Sequence, residues 1–218
     1  MRLASAVLVC LCWAPDAAPG QSPQGTDLPA PCQLLGQTIA IKQCLAREAA
    51  MTDTMLDAAF HAALEAQRPA SRDSLVADQR AWVADYGQAM ARFAEPTARI
   101  AADLVAKRSR TFRLRHLILV GAAASDTTRM HLPPARVTFR RETAGRGLIL
   151  SITNLSGRPF ETTVRLYNPF TDELRATAYR IMPNAREDVS WLDGWTVAPG
   201  HFVQILTTQF APVLVIAP

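Results

Sequence analysis

Residues 121–134 read GAAASDTTRMHLPP and separate two parts of the chain that differ in hydrophobic period. The segment is rich in small and polar residues and ends in two prolines, a composition typical of a connection between domains. Before it, apolar residues recur at helical spacing, and after it they alternate. This change predicts a multidomain chain: a helical domain at 32–120, a linker at 121–134 and a β-domain at 135–218.

The first part has the apolar spacing of three helices joined by short turns. One stripe of the first helix carries five apolar residues, Leu56, Ala59, Phe60, Ala63 and Leu64. Pro69 ends this helix, and Ser71 with Asp73 offers a cap for the second. Pro96 interrupts the pattern again, and a third helix is expected from about residue 97 to residue 120. The pattern therefore predicts a three-helix hairpin domain.

The second part has the alternating pattern of short β-strands. Leu148, Leu150 and Ile152, for example, share one face of a strand. Glycine, proline and asparagine turns separate seven candidate strands, at 136–140, 148–154, 162–167, 174–181, 188–191, 202–208 and 213–216. Seven short strands at this spacing predict an antiparallel β-sandwich of immunoglobulin-like or fibronectin-like type.

The N-terminus has the layout of a bacterial secretory signal peptide. Arg2 is followed by an apolar run at residues 3–14, and small residues suited to cleavage follow, ending at Gly20. We therefore predict a signal peptide at 1–20, a mobile lead-in at 21–31, and a periplasmic or secreted protein. Val9 and Leu11, which precede the two cysteines of this segment, argue against lipidation.

Two cysteines, Cys32 and Cys44, remain after the predicted signal peptide. In an oxidising compartment an even pair close in sequence is usually a disulfide. A metal site is the alternative, but it needs further ligands at suitable spacing, and no histidine lies within ten residues of either cysteine. We therefore expect a disulfide between them.

Composition and motifs favour a binding protein over an enzyme. The chain has 218 residues, 49% hydrophobic and 19% charged, which excludes a mostly disordered polymer. Its net charge of +4 is too small to imply a nucleic-acid partner.

The chain contains no G-x-S-x-G, Walker A, G-x-G-x-x-G or H-E-x-x-H sequence. We predict no catalytic residue, cofactor, metal or membrane span after the signal peptide. A hydrolase built from distant carboxylates is the alternative.

Two clusters of residues are candidates for binding. Near the end of the third helix lie five cations, Lys107, Arg108, Arg110, Arg113 and Arg115, which could bind an anion or an acidic partner. The alternative is that they complement the helix dipole and cover apolar surface with their stems. Trp191 and Trp195 flank an Asp-Gly turn, where they could stack on a sugar or pack into the sandwich.

Residues 32–118 resemble the LprI-like lysozyme-inhibitor family. The likeness rests on Cys32 and on Cys44 at the end of TIAIKQC, on the amphipathic run at 57–64, on DQRAW at 78–82 and on RTFRLR at 110–115. The resemblance implies a protein-binding function, with a c-type lysozyme as the partner. It also implies candidate contact residues on the second helix, namely Asp78, Gln79, Arg80 and Trp82. The alternative for Trp82 is a place in the core.

The predicted β-sandwich lies outside this resemblance and allows a second function. An edge strand or a loop surface of a sandwich can bind a protein partner. The alternative to lysozyme inhibition is therefore a periplasmic interaction or assembly module in which the sandwich supplies the binding surface.

Overall fold

The computed structural model describes residue 32 and residues 38–124, 131–142 and 147–218. The predicted signal peptide and lead-in lie outside these residues, as do residues 125–130 of the predicted linker and the side chain of Trp191. The predicted fold class is confirmed within the described ranges: three helices are followed by two antiparallel sheets.

The helices are α1 (Thr38–Ala66), α2 (Pro69–Ala91) and α3 (Pro96–Ala124). Pro69, which the sequence pattern placed at the end of the first helix, is the first residue of α2, and Pro96 is the first residue of α3, a position that suits proline. A proline fits there because its missing N–H would be unpaired in the first turn and its fixed φ already suits a helix.

The predicted cap of α2 was wrong. Arg68 occupies the N-cap position in an extended conformation, and no side chain caps the helix there. Ser71 and Asp73 lie inside the first turns instead. With Pro69 at the first helical position, the helix begins earlier than a Ser or Asp cap would allow.

The helices pack mainly through α1 and α3. Their shared core contains Leu56 and Ala63 of α1 and Leu114 of α3. From α2, Leu75 is buried in this core and Trp82 packs against it. Gly121 lies within α3, where an added Cβ would come 2.5 Å from the carbonyl oxygen of Ala66. A glycine is therefore required at 121 for the two helices to approach this closely.

The predicted disulfide is confirmed, because Cys32 and Cys44 are bonded with their Cα atoms 5.7 Å apart. Both cysteines are buried against Leu45 of α1 and Leu104 of α3. The bond thus ties the segment before α1 to a second small core shared by these two helices.

Replacing both cysteines by serine is expected to lower the free energy of unfolding by roughly 2–3 kcal/mol, since the bond closes a short loop and restricts the unfolded chain. The loop has a sequence separation of 12 residues. Urea unfolding followed by circular dichroism, with and without reductant, measures the change. The double variant is the control, because reductant should shift only the wild-type midpoint. An equal midpoint for both oxidised proteins would contradict the expectation.

The sandwich has seven strands in two antiparallel sheets. One sheet has the order β1-β2-β5 and the other the order β4-β3-β6-β7. In chain order the strands are β1 (Ala135–Arg141), β2 (Leu148–Asn154), β3 (Phe160–Asn168), β4 (Glu173–Ile181), β5 (Arg186–Val189), β6 (Phe202–Leu206) and β7 (Val213–Ile216). The fourth strand pairs with the third, whereas in constant-type immunoglobulin domains it joins the sheet of the first and second strands.

The inner faces of the two sheets form one apolar core. Ile152 and Val189 of the first sheet pack with Val164, Val203 and Ile205 of the second. All five are completely buried, which is the arrangement expected of an aligned sandwich.

The predicted fifth strand extended too far, because β5 ends at Val189 and residues 191–193 form a short 3-10 turn. Hydrogen bonds between Ser190 and Asp193 explain why β5 ends at Val189. The Ser190 backbone N–H donates to the Asp193 carboxylate at 2.9 Å, and the Asp193 N–H donates back to the Ser190 carbonyl at 3.0 Å. These local bonds replace the strand ladder. Trp195, which follows the turn, packs into the sandwich core.

Candidate functional site

The outer face of the four-stranded sheet is covered by α3. Tyr167 of β3 and Phe202 of β6 are paired in register, and their side chains lie on the side opposite the sandwich core. Phe112 of α3 stacks on Tyr167, with ring centroids 4.4 Å apart and planes 8° apart, and also contacts Phe202 at 5.6 Å. An aromatic contact therefore joins the helical half to the sandwich.

Arg108 lies at one end of this aromatic contact and links three parts of the chain. Its side chain is 5% exposed and forms an ion pair with Glu48 of α1 at 3.1 Å. It also donates to the carbonyl oxygen of Phe170 at 3.3 Å, and its Nε lies 3.9 Å from the carboxylate of Asp172. Both of these residues belong to the turn between β3 and β4. Because the guanidinium is buried, each partner is needed to compensate its lost hydration.

Tyr167 is also fixed by the β3–β4 turn. Its hydroxyl donates to the carboxylate of Asp172 at 2.8 Å. Burial and this carboxylate together raise the pKa of Tyr167 well above its usual range, so that the phenol remains a donor. Asp172 thus contacts both Tyr167 and Arg108.

His116 lies at the other end of the aromatic contact, one helical turn after Phe112. Its Nδ1 is 3.0 Å from the side-chain amide nitrogen of Gln204 on β6, and both side chains are buried. Burial lowers the pKa of His116 to about 4. Since the amide nitrogen is a donor, the imidazole is neutral and accepts at Nδ1.

Lys107 lies among the three helices. Its Nζ is 2.6 Å from the carboxylate of Asp53 on α1 and 2.8 Å from that of Asp103 on α3, and 5.7 Å from the ring centre of Tyr86 on α2. Burial by itself lowers the pKa of Lys107, but hydrogen bonds to the two carboxylates outweigh it, so that the pKa is raised. The ammonium group therefore connects the helices as a cation.

Arg110 of α3 contacts three of the four candidate contact residues of α2. Its guanidinium donates to Asp78 at 2.7 Å and to Gln79 at 2.8 Å, and it lies 5.8 Å from the ring centre of Trp82. Trp82 also stacks on Tyr86 and packs against the helical core. Asp78, Gln79 and Trp82 are therefore brought together on the side of α2 that faces α3.

Arg80 lies elsewhere on α2. It is exposed and makes no hydrogen bond or ion pair with any residue that the structure describes. Val83, one turn further along, is 52% exposed. Asp78 is exposed over 59% of its side chain even though it binds Arg110. Arg80 and Val83 lie three residues apart and therefore share one face of the helix. We call this solvent-exposed face, defined by Arg80 and Val83, the outward surface of α2.

The last two cations of the cluster have different surroundings. Arg113 lies over the ring of Phe202 at 5.4 Å, and its buried Nε has no hydrogen-bond partner in the described part of the chain. Burial, followed by the neighbouring charge of Arg110, lowers the pKa of Arg113. Arg115 is exposed. The five cations thus point to different sides of α3, and three of them, Lys107, Arg108 and Arg110, are paired with carboxylates.

Sequence reasoning missed the residues that join the two halves. These are Phe112, His116, Tyr167, Asp172, Phe202 and Gln204. A signal was present in β6, where Phe202, Val203 and Ile205 form an almost continuous apolar run. A strand with that pattern is buried on both faces, which requires another element on the outer side of its sheet.

Grooves lie at both ends of β3 in the described part of the sandwich. One, of about 410 Å³, lies beside the β3–β4 turn and is lined by residues that include Asn168, Phe170, Glu173, Arg175 and His201. The other, of about 290 Å³, lies at the opposite end of β3 and is lined by residues that include Phe160, Arg180, Thr207 and Phe210. Across the described ranges, no three His, Cys, Asp or Glu side chains are grouped to hold a metal ion. No described helix is long and apolar enough to cross a membrane.

The architecture is that of a disulfide-linked helical unit whose last helix packs on a β-sandwich. Residues 32–117 match a family described as Lysozyme inhibitor LprI, which confirms the resemblance of the helical half. The match includes both cysteines, α1, α2 and most of α3, and leaves the sandwich outside. No curated protein and no solved structure matches the chain.

The family match has consequences for function at the level of the family. It supports a lysozyme-inhibitor-like, protein-binding function, and the family is one of inhibitors rather than enzymes. Together with the disulfide, it indicates a protein that works outside the cytoplasm.

Proposed function

We propose that this is an exported bacterial protein that inhibits a c-type lysozyme by direct contact through its helical half. The observation that carries the proposal is the family match to residues 32–117, which includes the disulfide, α1, α2 and most of α3. The proposal needs no catalytic group, because an inhibitor acts by occupying the surface of its target.

The outward surface of α2 is the proposed contact. Lysozymes cleave glycosidic bonds with a pair of carboxyl groups in a cleft, and a guanidinium is well suited to bind a carboxylate. Arg80 offers such a group without a competing partner among the described residues. Val83 adds apolar area one turn away.

Asp78, Gln79 and Trp82 support the proposed contact from the side of α2 that faces α3. All three contact Arg110 and so position α2, and Asp78 is also exposed to solvent. A surface that is already ordered loses less conformational entropy on binding. We therefore propose Arg80 as the contact residue on the outward surface of α2, with Asp78, Gln79 and Trp82 positioning the helix from the side that faces α3.

Lysozyme inhibition is tested by hydrolysis of a soluble chitooligosaccharide by c-type lysozyme in the presence of the oxidised protein. We expect dose-dependent inhibition, and we expect Arg80→Ala to raise the inhibition constant by about tenfold or more, as for a central arginine of an interface. A soluble substrate avoids the coating of anionic cells by a cationic protein. Equal unfolding midpoints for the variant and the wild type show that only the contact has changed.

Arg72→Ala is the matched control, because Arg72 is exposed on the same helix and donates only to the nearby carbonyl of Gln67. Its inhibition constant should equal that of the wild type. The absence of inhibition at large molar excess would overturn the proposed function. Equal losses in Arg72→Ala and Arg80→Ala would overturn the proposed contact.

A further inference from the structure

The outer face of the three-stranded sheet carries three exposed arginines. Val137, Ile152 and Val189 pack in the sandwich core, so the residues that alternate with them lie on the opposite side of the sheet. We call this side the arginine face, and its residues are Arg136, Thr138 and Arg140 of β1, Ile149, Ser151 and Thr153 of β2, and Arg186 and Asp188 of β5. The arginines and Thr138 are exposed, whereas Ile149 and Ser151 are buried.

The strand register brings two of the arginines to either side of one hydroxyl group. Arg136 and Arg186 are both paired with Thr153, on the two strands that flank it. Neighbouring strands are about 4.8 Å apart, so the Cα atoms of these arginines lie about 10 Å apart. Two arginine side chains can span that distance. A group bound over Thr153 can therefore receive hydrogen bonds from both guanidinium groups.

Asp188 orients two of the arginines. Its carboxylate accepts a hydrogen bond from Arg140 at 3.0 Å, and the Nε of Arg186 lies 3.1 Å from it. The hydroxyl of Ser151 donates to the same carboxylate at 2.6 Å. Burial by itself raises the pKa of Asp188, but the hydrogen bonds from Ser151 and Arg140 outweigh it, so that the pKa is lowered and the carboxylate is charged. Each guanidinium keeps N–H groups that no described residue accepts from.

The arginine face has more positive than negative charge, since it holds three arginines and one aspartate. Arg136 makes no hydrogen bond or ion pair with any described residue. Glu187 alternates to the core side of β5, where it is paired with Ile152. Burial, followed by the carboxylates of Asp193 and Glu187, raises the pKa of Tyr179 on the inner face of β4, which agrees with that placement. The excess of cations suits an anionic ligand.

The other side chains of the arginine face indicate which kind of anion fits. The face has no exposed apolar side chain and no aromatic one. Apolar and aromatic residues are usual at the centre of a protein interface, and aromatic rings are usual where single-stranded nucleic acids stack. What this face exposes is guanidinium and hydroxyl groups, which bind acid groups and sugar hydroxyls. A protein that works outside the cytoplasm also meets acidic polysaccharides more readily than nucleic acids.

We propose that the arginine face binds an acidic polysaccharide. One acid group lies over Thr153 between Arg136 and Arg186, and a second lies beside Arg140. The Cα atoms of Arg136 and Arg140 are about 13 Å apart along β1, so acid groups on separate sugars of one chain can bind at both places. The contact uses no residue of the outward surface of α2, so it goes beyond lysozyme inhibition and does not depend on it.

Calorimetric titration with polygalacturonate tests the binding, and its methyl ester is the neutral control with the same sugar backbone. Residues 21–218 are used in oxidised form. We expect affinity for the acid to exceed affinity for the ester by about tenfold or more and to fall as salt is added. Equal binding of acid and ester, or no binding of either, would overturn the proposal. Binding of polyglutamate with equal affinity would overturn the choice of a polysaccharide over an acidic protein.

A pair of double variants locates the site. Arg136→Ala with Arg186→Ala should raise the dissociation constant for polygalacturonate by about tenfold, because both donors beside Thr153 are lost. Arg115→Ala with Arg180→Ala is the matched control, since it removes the same charge from exposed positions on α3 and on the outer face of β4. Unfolding midpoints establish that each variant is folded. An equal loss in the two double variants would show that net charge alone decides and would overturn the proposal.

Thr138→Glu is a second test that keeps every arginine. Thr138 is exposed on β1 between Arg136 and Arg140. A carboxylate there repels the acid groups of the ligand and should also raise the dissociation constant by about tenfold. An unchanged dissociation constant in this variant would overturn the placement of the polysaccharide on this face.

Discussion

Replacing Arg108 by alanine is expected to lower the free energy of unfolding by about 3–5 kcal/mol, the usual cost of breaking a buried ion pair. The variant leaves the carboxylate of Glu48 without its cation and the carbonyl of Phe170 without its donor. It also removes the connection between α1 and the β3–β4 turn. Urea unfolding followed by circular dichroism measures the loss.

Arg115→Ala is the control for this prediction, because Arg115 lies on the same helix and is exposed. Its expected effect is within about 0.5 kcal/mol. Arg108→Lys should fall between the two, since it keeps the charge but not the planar arrangement of donors. Equal stabilities of Arg108→Ala and Arg115→Ala would contradict the role of Arg108 in joining the two halves.

We also expect a large decrease in the free energy of unfolding as the pH falls from about 6.5 to about 4. Burial lowers the pKa of His116 from 6.5 to about 4, so between these values the unfolded chain binds a proton that the folded chain does not. The stability is fully present above pH 6.5 and decreases by about 3 kcal/mol down to the folded pKa. Burial also lowers the pKa of His201, which adds a change of the same sign.

Protonation of His116 would also place two donors against each other, because Gln204 already donates to Nδ1. His116→Gln removes the titrating group and should flatten the dependence of the unfolding free energy on pH in this window. His61→Gln is the control, because His61 is exposed on α1. Urea unfolding at several pH values between 4 and 7 makes the comparison. An unchanged slope in His116→Gln would refute this assignment.

The position of α3 explains why the family match and the folded unit have different limits. Leu104 and Leu114 of α3 pack against the other helices, whereas Phe112 and His116 pack against the sheet. The match ends at residue 117, yet the helix that it includes also covers the sandwich. A helical half prepared alone would expose the ring of Phe112 and the imidazole of His116. The inhibition assay therefore needs both halves.

The class of fold could be predicted because it depends on periodicity along the chain. The spacing of Leu56, Ala59 and Ala63 produces a helical stripe, and the alternation of Leu148, Leu150 and Ile152 produces a strand, whatever lies opposite them. The disulfide could be predicted because only two cysteines follow the predicted signal peptide. Element boundaries were less predictable, as Pro69 and the turn at Ser190 demonstrate, since local hydrogen bonds decide them.

The candidate contact residues stay a prediction, and only part of their arrangement could be predicted from the sequence. The sequence placed Asp78, Gln79, Arg80 and Trp82 on one helix, but it did not separate Arg80 from the other three. That separation depends on Arg110, which lies 28 residues beyond Trp82 in the chain and holds the other three from α3. An ion pair between two helices has no signal in the spacing of either one.

The sequence by itself determined the disulfide, the three helices and the alternating strands, because each follows from the order of residues within a short stretch. Only the tertiary structure decided that α3 covers the four-stranded sheet, that the cations near its end point to different partners, and that arginines of two strands meet at Asp188. Such contacts join residues far apart in sequence. They form when buried apolar and charged groups find partners that periodicity cannot specify.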